Sequence, residues 1–157
     1  MKINQKLLGM LIVTIIFGTV FISSRFGLWQ TTNTKIPQKY TSADYQDQYD
    51  PADIKGSYTF GEISQLYQVP IDDLVTAFSI DAGDASSFKC KDLESMYDKA
   101  DGKEIGTDSV RLFVALYKGL PYTLNSSTYL PVSAEEVLLI MGNMTDEQKQ
   151  FVASHKK

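Results

Sequence analysis

The stretch GSYTFGEISQLYQVPIDDLVTAFS, residues 56–79, decides the fold because it encodes two short helices joined by a tight corner. Thr59 and Glu62 have the spacing of a capping box, in which each side chain accepts a hydrogen bond from the other residue's backbone amide. The next apolar residues recur at the period of one helix face: Phe60, Ile63, Leu66 and Tyr67. Pro70 ends this pattern and suits the start of a second helix, whose apolar stripe is Leu74, Val75 and Phe78.

The rest of the chain repeats this scheme of a capping residue, a short apolar period and a glycine or proline stop. It predicts helices over residues 89–97, 107–118, 133–141 and 145–152, with capping boxes at Ser133 and Thr145 and stops at Gly119 and Gly142. The fold class is therefore all-α, with a compact bundle of about six short helices after an N-terminal transmembrane helix. The predicted core consists of Ile63, Leu66, Leu74, Phe78, Leu93, Val110, Phe113, Val114, Tyr117, Val137 and Leu138.

Leu7–Ser24 carries no charged residue and, as a helix, spans about 27 Å, which is close to the thickness of a bilayer's hydrocarbon core. Phe26 and Trp29 follow it, where aromatic rings favour the membrane interface. We expect an uncleaved membrane anchor, and a cleaved signal peptide is the alternative. Lys2 and Lys6 favour a cytoplasmic N-terminus, which places the rest of the chain outside the cytoplasm.

The sequence divides into an anchor over residues 1–29, a polar linker over 30–55 and a helical extracytoplasmic domain over 56–157. Three tyrosines in the linker are spaced so that its second half can dock on the domain: Tyr40, Tyr45 and Tyr49. Four aspartates recur there every three residues: Asp44, Asp47, Asp50 and Asp53. They lack the glycine and closing glutamate of a calcium loop, so we expect a solvated acidic segment without a metal.

The chain after Arg25 holds 12 basic and 19 acidic residues, and its net charge is therefore 12 − 19 = −7. Such a surface repels phosphate groups, so we expect no nucleic-acid partner. The single cysteine, Cys90, is predicted to be buried, and the single histidine, His155, lies in the basic tail. No nucleophile–base pair or cofactor motif is visible, which favours a non-enzyme without cofactors. An enzyme that uses carboxylates alone remains an alternative.

Two segments, Asp53–Phe78 and Glu104–Tyr122, resemble a small helical region found beside or within bacterial membrane-bound ferredoxin-like iron–sulfur proteins. The likeness consists of helix caps, a proline corner and the apolar positions of the helices. This chain lacks the cysteines that hold the iron–sulfur clusters in that family. The resemblance implies an accessory domain near membrane redox machinery.

The opening stretch also resembles a LysM module, through Thr59, Ile63 and Tyr67 on the first helix and Leu74 on the second. LysM modules bind polymers of N-acetylglucosamine. This resemblance implies a cell-wall glycan as an alternative ligand.

These patterns predict a membrane-anchored, non-catalytic accessory or interaction module whose partner is a membrane or envelope protein. The expected contact surface is the proline-bounded loop Leu120–Pro131. Its apolar side chains are Tyr122, Leu124, Tyr129 and Leu130. The alternative interpretation is that these side chains cover the domain's own core.

Overall fold

The computed structural model describes residues 9–15, 17–19, 36–81, 83, 85–97 and 102–157, and the chain forms two compact units. The first unit, Met1–Lys35, contains helical turns over residues 9–15 and 17–19. Thr14 Oγ1 donates to the carbonyl of Met10 at 2.9 Å, so this hydroxyl is satisfied within the helix. In the described ranges, no helix has both the length and the apolar character needed to cross a membrane. The remainder of the predicted span Leu7–Ser24 lies outside the described residues.

The second unit, Ile36–Lys157, is built from α-helices. The helices in its described part are α1 Phe60–Tyr67, α2 Ile71–Phe78, α3 Leu93–Met96, α4 Thr107–Lys118, α5 Val132–Met141 and α6 Asp146–Ser154. Backbone pairing of the β type is limited there to isolated bridges, such as Thr59 with Lys89 and Leu130 with Lys156. The all-α prediction is confirmed.

The predicted pair of helices is present in the structure as α1 and α2. Thr59 Oγ1 accepts from the Glu62 amide at 3.2 Å, and the Glu62 carboxylate accepts from the Thr59 amide at 2.8 Å, which confirms the capping box. Between the helices, Gln68 adopts a left-handed conformation and Pro70 directly precedes α2. At Gly61, an added Cβ would lie 2.8 Å from the Ser86 carbonyl oxygen. Glycine therefore lets the loop before α3 approach α1 closely.

Residues 36–55 belong to the compact unit, whereas the sequence places the start of the domain at residue 56. The segment contains two short 3₁₀ turns, Ala43–Tyr45 and Pro51–Asp53. The Tyr40 hydroxyl donates to the carbonyl of Pro121 at 2.7 Å, and Ile54 is fully buried. Such long-range contacts fix a polar segment to the domain although it has no apolar period of its own.

Aromatic rings connect the helices in the core. Phe78 on α2 makes edge-to-face contacts with Phe60 on α1 and Phe113 on α4, with ring centroids 5.6 and 5.5 Å apart. The predicted core side chains are buried except Leu66 and Tyr117, which are half-buried. Tyr117 lies at the edge because its hydroxyl donates to the Asp73 carboxylate at 2.6 Å.

The central helix α4 begins at Thr107, one residue after its cap. Gly106 occupies the cap position, and its amide donates to Ser109 Oγ at 3.1 Å. The predicted stop at Gly119 is confirmed, because this residue adopts the left-handed conformation, with φ of 65°.

Candidate functional site

The loop Leu120–Pro131 lies against the core along much of its length. Leu130 is only 1% exposed, so the expectation that it presents apolar surface is wrong. Tyr122, Leu124 and Tyr129 are half-buried and pack against the core. Leu130 therefore covers the domain's own core, as in the alternative interpretation, whereas partner binding by Tyr122, Leu124 and Tyr129 stays a prediction.

Backbone hydrogen bonds fix this loop at both sides. The amide of Leu130 donates to the carbonyl of His155 at 2.9 Å, and the amide of Lys157 donates back to the carbonyl of Leu130 at 2.9 Å. Ser109 Oγ donates to the carbonyl of Tyr129 at 2.6 Å. The loop is therefore held between the start of α4 and the C-terminal residues, with the Leu130 side chain buried.

A cavity of about 590 Å³ opens beside the same loop. Its lining includes Asp50, Asp108, Tyr122, Asn125 and Thr128. The Tyr122 hydroxyl makes no hydrogen bond to any residue that the structure describes. This cavity thus combines carboxylate, amide and hydroxyl groups with one aromatic ring, the mixture that a neutral polyhydroxylated ligand can use.

The charge balance of this cavity is acidic. Arg111, which contacts the lining residue Asp108, donates to the carbonyl of Ile54 at 2.7 Å and to the Asp108 carboxylate at 2.6 Å. Burial raises the pKa of Tyr122, and the carboxylate of Asp108 raises it further. The phenol is therefore a neutral hydrogen-bonding group at physiological pH, and the cavity disfavours anions.

The second candidate surface is the outward side of α5, which we name the α5 face and define by Val132, Glu136, Leu139 and Ile140. These positions follow one another at i, i+4, i+7 and i+8, so they share one side of the helix. Leu139 is 59% exposed and Ile140 is 80% exposed. Met141, at the end of the helix, is also exposed. Exposed apolar residues that cluster in this way mark interaction sites on soluble domains.

The inward side of α5 is anchored, so the α5 face is held in place. Ala134, Val137 and Leu138 are buried, and α5 packs mainly against α2. Beyond the helix, the amide of Asn143 donates to the carbonyl of Leu116 on α4 at 3.0 Å. Lys156 Nζ lies 2.6 Å from the Glu135 carboxylate. Contacts at both ends and along the inner side therefore make the α5 face a preorganised surface.

The capping box predicted at Ser133 does not form. The helix begins at Val132, after Pro131, and Ser133 Oγ donates to the carbonyl of Ala77 on α2 at 2.8 Å. The hydroxyl that could cap α5 serves instead to join two helices.

The described residues bring no group of three or more histidine, cysteine or acidic side chains close enough to hold a metal ion. Cys90 is fully buried, as predicted, and burial raises the pKa of its thiol to about 12. His155 stacks on Phe151 with ring centroids 3.9 Å apart. Its Nδ1 lies 3.0 Å from the carbonyl oxygen of Phe151. Both side chains are thus accounted for by packing and local hydrogen bonding.

The sequence contains a signal for the α5 face in the composition of this helix, although the spacing of its apolar residues does not reveal it. Val132–Met141 has only three polar residues, Ser133, Glu135 and Glu136, and apolar residues fill the remaining positions on all sides. A helix that is apolar all round is typical of a fully enclosed position. In this domain α5 is enclosed on one side only.

Comparisons of the chain with protein-family models, with curated proteins and with solved structures found no match.

Proposed function

We propose that this protein is a non-catalytic docking module that a membrane anchor holds next to a membrane or envelope protein. The α5 face is the contact surface. The observation that carries the proposal is the exposure of Leu139 and Ile140 side by side on a helix whose other side is fixed in the core.

Exposed leucine and isoleucine side chains impose a solvation cost in the free domain. A partner that covers them removes this cost. The surface is already ordered, so binding loses little further conformational entropy.

The anchor is the charge-free segment Leu7–Ser24, with the domain outside the cytoplasm. Confinement to the membrane raises the effective concentration of a partner in the same membrane, so a surface as small as one helix face can suffice. The resemblance to ferredoxin-like iron–sulfur proteins makes membrane redox complexes the first partners to test.

A non-catalytic role fits the chemistry of the described side chains. The Cys90 thiol is protonated and enclosed, and the Arg111 guanidinium is bound to Asp108 and Ile54. Nucleophilic catalysis needs an accessible nucleophile beside a base. The sulfur of Cys90 does not meet that requirement.

Ile140→Asp in the full-length chain tests the docking function. The change replaces an exposed apolar side chain of the α5 face with a charged one, so we expect the fold to persist and the partner to be lost from complexes purified out of native membranes. Met96→Asp is the matched control, because Met96 is also an exposed apolar residue but lies on α3. Retention of the same partner by the Ile140→Asp variant would refute the docking surface.

A second candidate function is the binding of a cell-wall glycan in the cavity beside Tyr122. It is supported by the Tyr122 hydroxyl, which has no partner in the described part of the chain, and by the amide and carboxylate groups around it. Calorimetric titration with a chito-oligosaccharide checks this function. Tyr122→Phe removes only the hydroxyl and should weaken binding about tenfold, through one lost hydrogen bond. The absence of any binding heat at millimolar sugar would exclude this function.

A further inference from the structure

We infer, on the basis of the docking function proposed above, that the α5 face binds an amphipathic helix that carries lysine or arginine beside its apolar stripe. The chemistry of the partner follows from one carboxylate, that of Glu136, which lies among the exposed apolar side chains of α5.

The α5 face is long enough to pack against a helix. Its four residues lie along about two helical turns, which is about 12 Å. A surface helix buries an apolar stripe against a neighbouring element, and two such stripes pack with axes about 8–10 Å apart. The inner stripe of α5 is already covered by the core. A second helix packed on Leu139 and Ile140 would cover the outer one.

Glu136 determines the sign of the partner's charge. It is exposed on the same stripe, one turn before Ile140, and it has no ion pair with any residue that the structure describes. Its neighbour Glu135 differs, because Lys156 binds the Glu135 carboxylate at 2.6 Å. A helix that covers the α5 face therefore meets, within the contact, a carboxylate that no described residue neutralises. A lysine or arginine at that position neutralises it.

The charge of the whole unit acts in the same direction. Residues 36–157 contain 11 basic and 19 acidic residues, which gives a net charge of 11 − 19 = −8. A second copy of this chain would bring the same charge and another Glu136 to the contact, and an anionic lipid surface would be repelled. The negative net charge attracts a basic helix at long range, and Glu136 can pair with its lysine or arginine on contact. Electrostatics therefore favour a basic helix over a second copy of this chain or an anionic lipid surface.

Two synthetic peptides test the inference. Both are 18-residue helices with leucine on one side; the other side carries lysine in the first peptide and glutamate in the second. Each is titrated against the full-length chain in zwitterionic nanodiscs, with empty nanodiscs as the blank. The lysine peptide should bind and, when it carries a photoreactive group, should crosslink to residues 139–141. The glutamate peptide should not bind.

Two variants test whether individual residues of the α5 face bind the lysine peptide. Ile140→Ser, which removes the apolar side chain without adding a charge, and Glu136→Lys should each weaken binding of the lysine peptide at least about tenfold. Glu147→Lys should change its affinity less than about twofold. Glu147→Lys is the matched control, because it makes the same substitution and the same change in net charge at an exposed glutamate on α6. Equal losses from both lysine substitutions would show attraction by net charge alone and overturn the inference.

The remaining outcomes separate this inference from the docking function. Equal binding of both peptides would show an apolar contact without charge selection, which overturns the basic helix. If the lysine peptide fails to bind while Ile140→Asp still releases the natural partner, the docking function stands and the basic helix is excluded. If the lysine peptide fails to bind and the Ile140→Asp variant retains the natural partner, both the basic helix and the docking function are excluded.

Discussion

Helices α4 and α5 are adjacent elements of one core, yet they use their apolar residues differently. Seven of the twelve residues of α4 are buried, whereas its charged residues Asp108, Arg111 and Lys118 keep some exposure. In α5 four of ten residues are buried, and the outward side carries Val132, Leu139 and Ile140. The apolar content of α4 is thus explained by the stability of the domain. That of α5 exceeds what the core needs, which separates side chains that stabilise this protein from those available for binding.

The largest effect on stability should come from a substitution on α4, the more buried of the two helices. Phe113→Ala on α4 removes a fully buried ring that contacts Phe78 and Tyr117. We expect a loss of about 3–5 kcal/mol in the free energy of unfolding, from lost burial and the cavity left behind. Chemical denaturation followed by circular dichroism measures it. A loss below about 1 kcal/mol would mean that α4 is not the centre of the core.

Alkaline pH should weaken the core by a smaller amount. Burial raises the pKa of the Cys90 thiol from 9.0 to about 12, so the unfolded chain loses this proton at a lower pH than the folded one. Stability from this group is therefore complete below about pH 9 and declines as pH rises toward 12. At pH 10.5 the loss attributable to Cys90 is about 2 kcal/mol.

Cys90→Ala isolates this contribution to the alkaline loss. The free energy of unfolding is measured for the wild type and for the variant at pH 8 and at pH 10.5. The decrease between the two pH values should be smaller in the variant. Tyrosines also contribute, since burial and the hydrogen bond to Asp73 raise the pKa of Tyr117 to about 12. An identical pH dependence in both proteins would contradict the assigned role of the thiol.

Loss of the helix cap at Thr59 should cost about 1 kcal/mol. Thr59→Ala removes the oxygen that accepts from the Glu62 amide at the start of α1. Thr123→Ala is the control, because Thr123 is exposed on the loop and caps no helix. Unfolding free energies that are equal for these two variants would show that the capping box contributes nothing.

The smallest effect on stability should come from the α5 face. Ile140→Ala removes a side chain that is 80% exposed, so the free energy of unfolding should change by no more than about 0.5 kcal/mol. A loss above about 2 kcal/mol would instead show that Ile140 packs within the domain. That result would remove the contrast between α4 and α5.

Local signals in the sequence were sufficient for much of the fold. The capping box at Thr59 and the stop at Gly119 depend on residues a few positions apart, and both formed as predicted. Ser133 shows the limit, since its hydroxyl joins Ala77, which is distant in sequence, instead of capping its own helix. The place of residues 36–55 depends in the same way on the contact between Tyr40 and Pro121.

The candidate surfaces were harder to predict than the helices. The loop Leu120–Pro131 was expected to expose Leu130, but hydrogen bonds with the C-terminal residues hold this side chain inside. The α5 face was missed because an apolar run without a helical period does not reveal which side is covered. In both cases exposure depends on elements that are far apart in the sequence.

Photo-crosslinking from position 140 tests the central claim, that the α5 face is the docking surface, most directly. A photoreactive amino acid is placed at position 140 or, as the comparison, at position 123 of full-length chains in native membranes, and adducts are mapped by mass spectrometry. The account predicts a discrete adduct from position 140 to a membrane or envelope protein, at a helical segment that contains lysine or arginine, and none from position 123. An adduct from position 123 alone, a crosslink only between copies of this chain, or no adduct at all would contradict it.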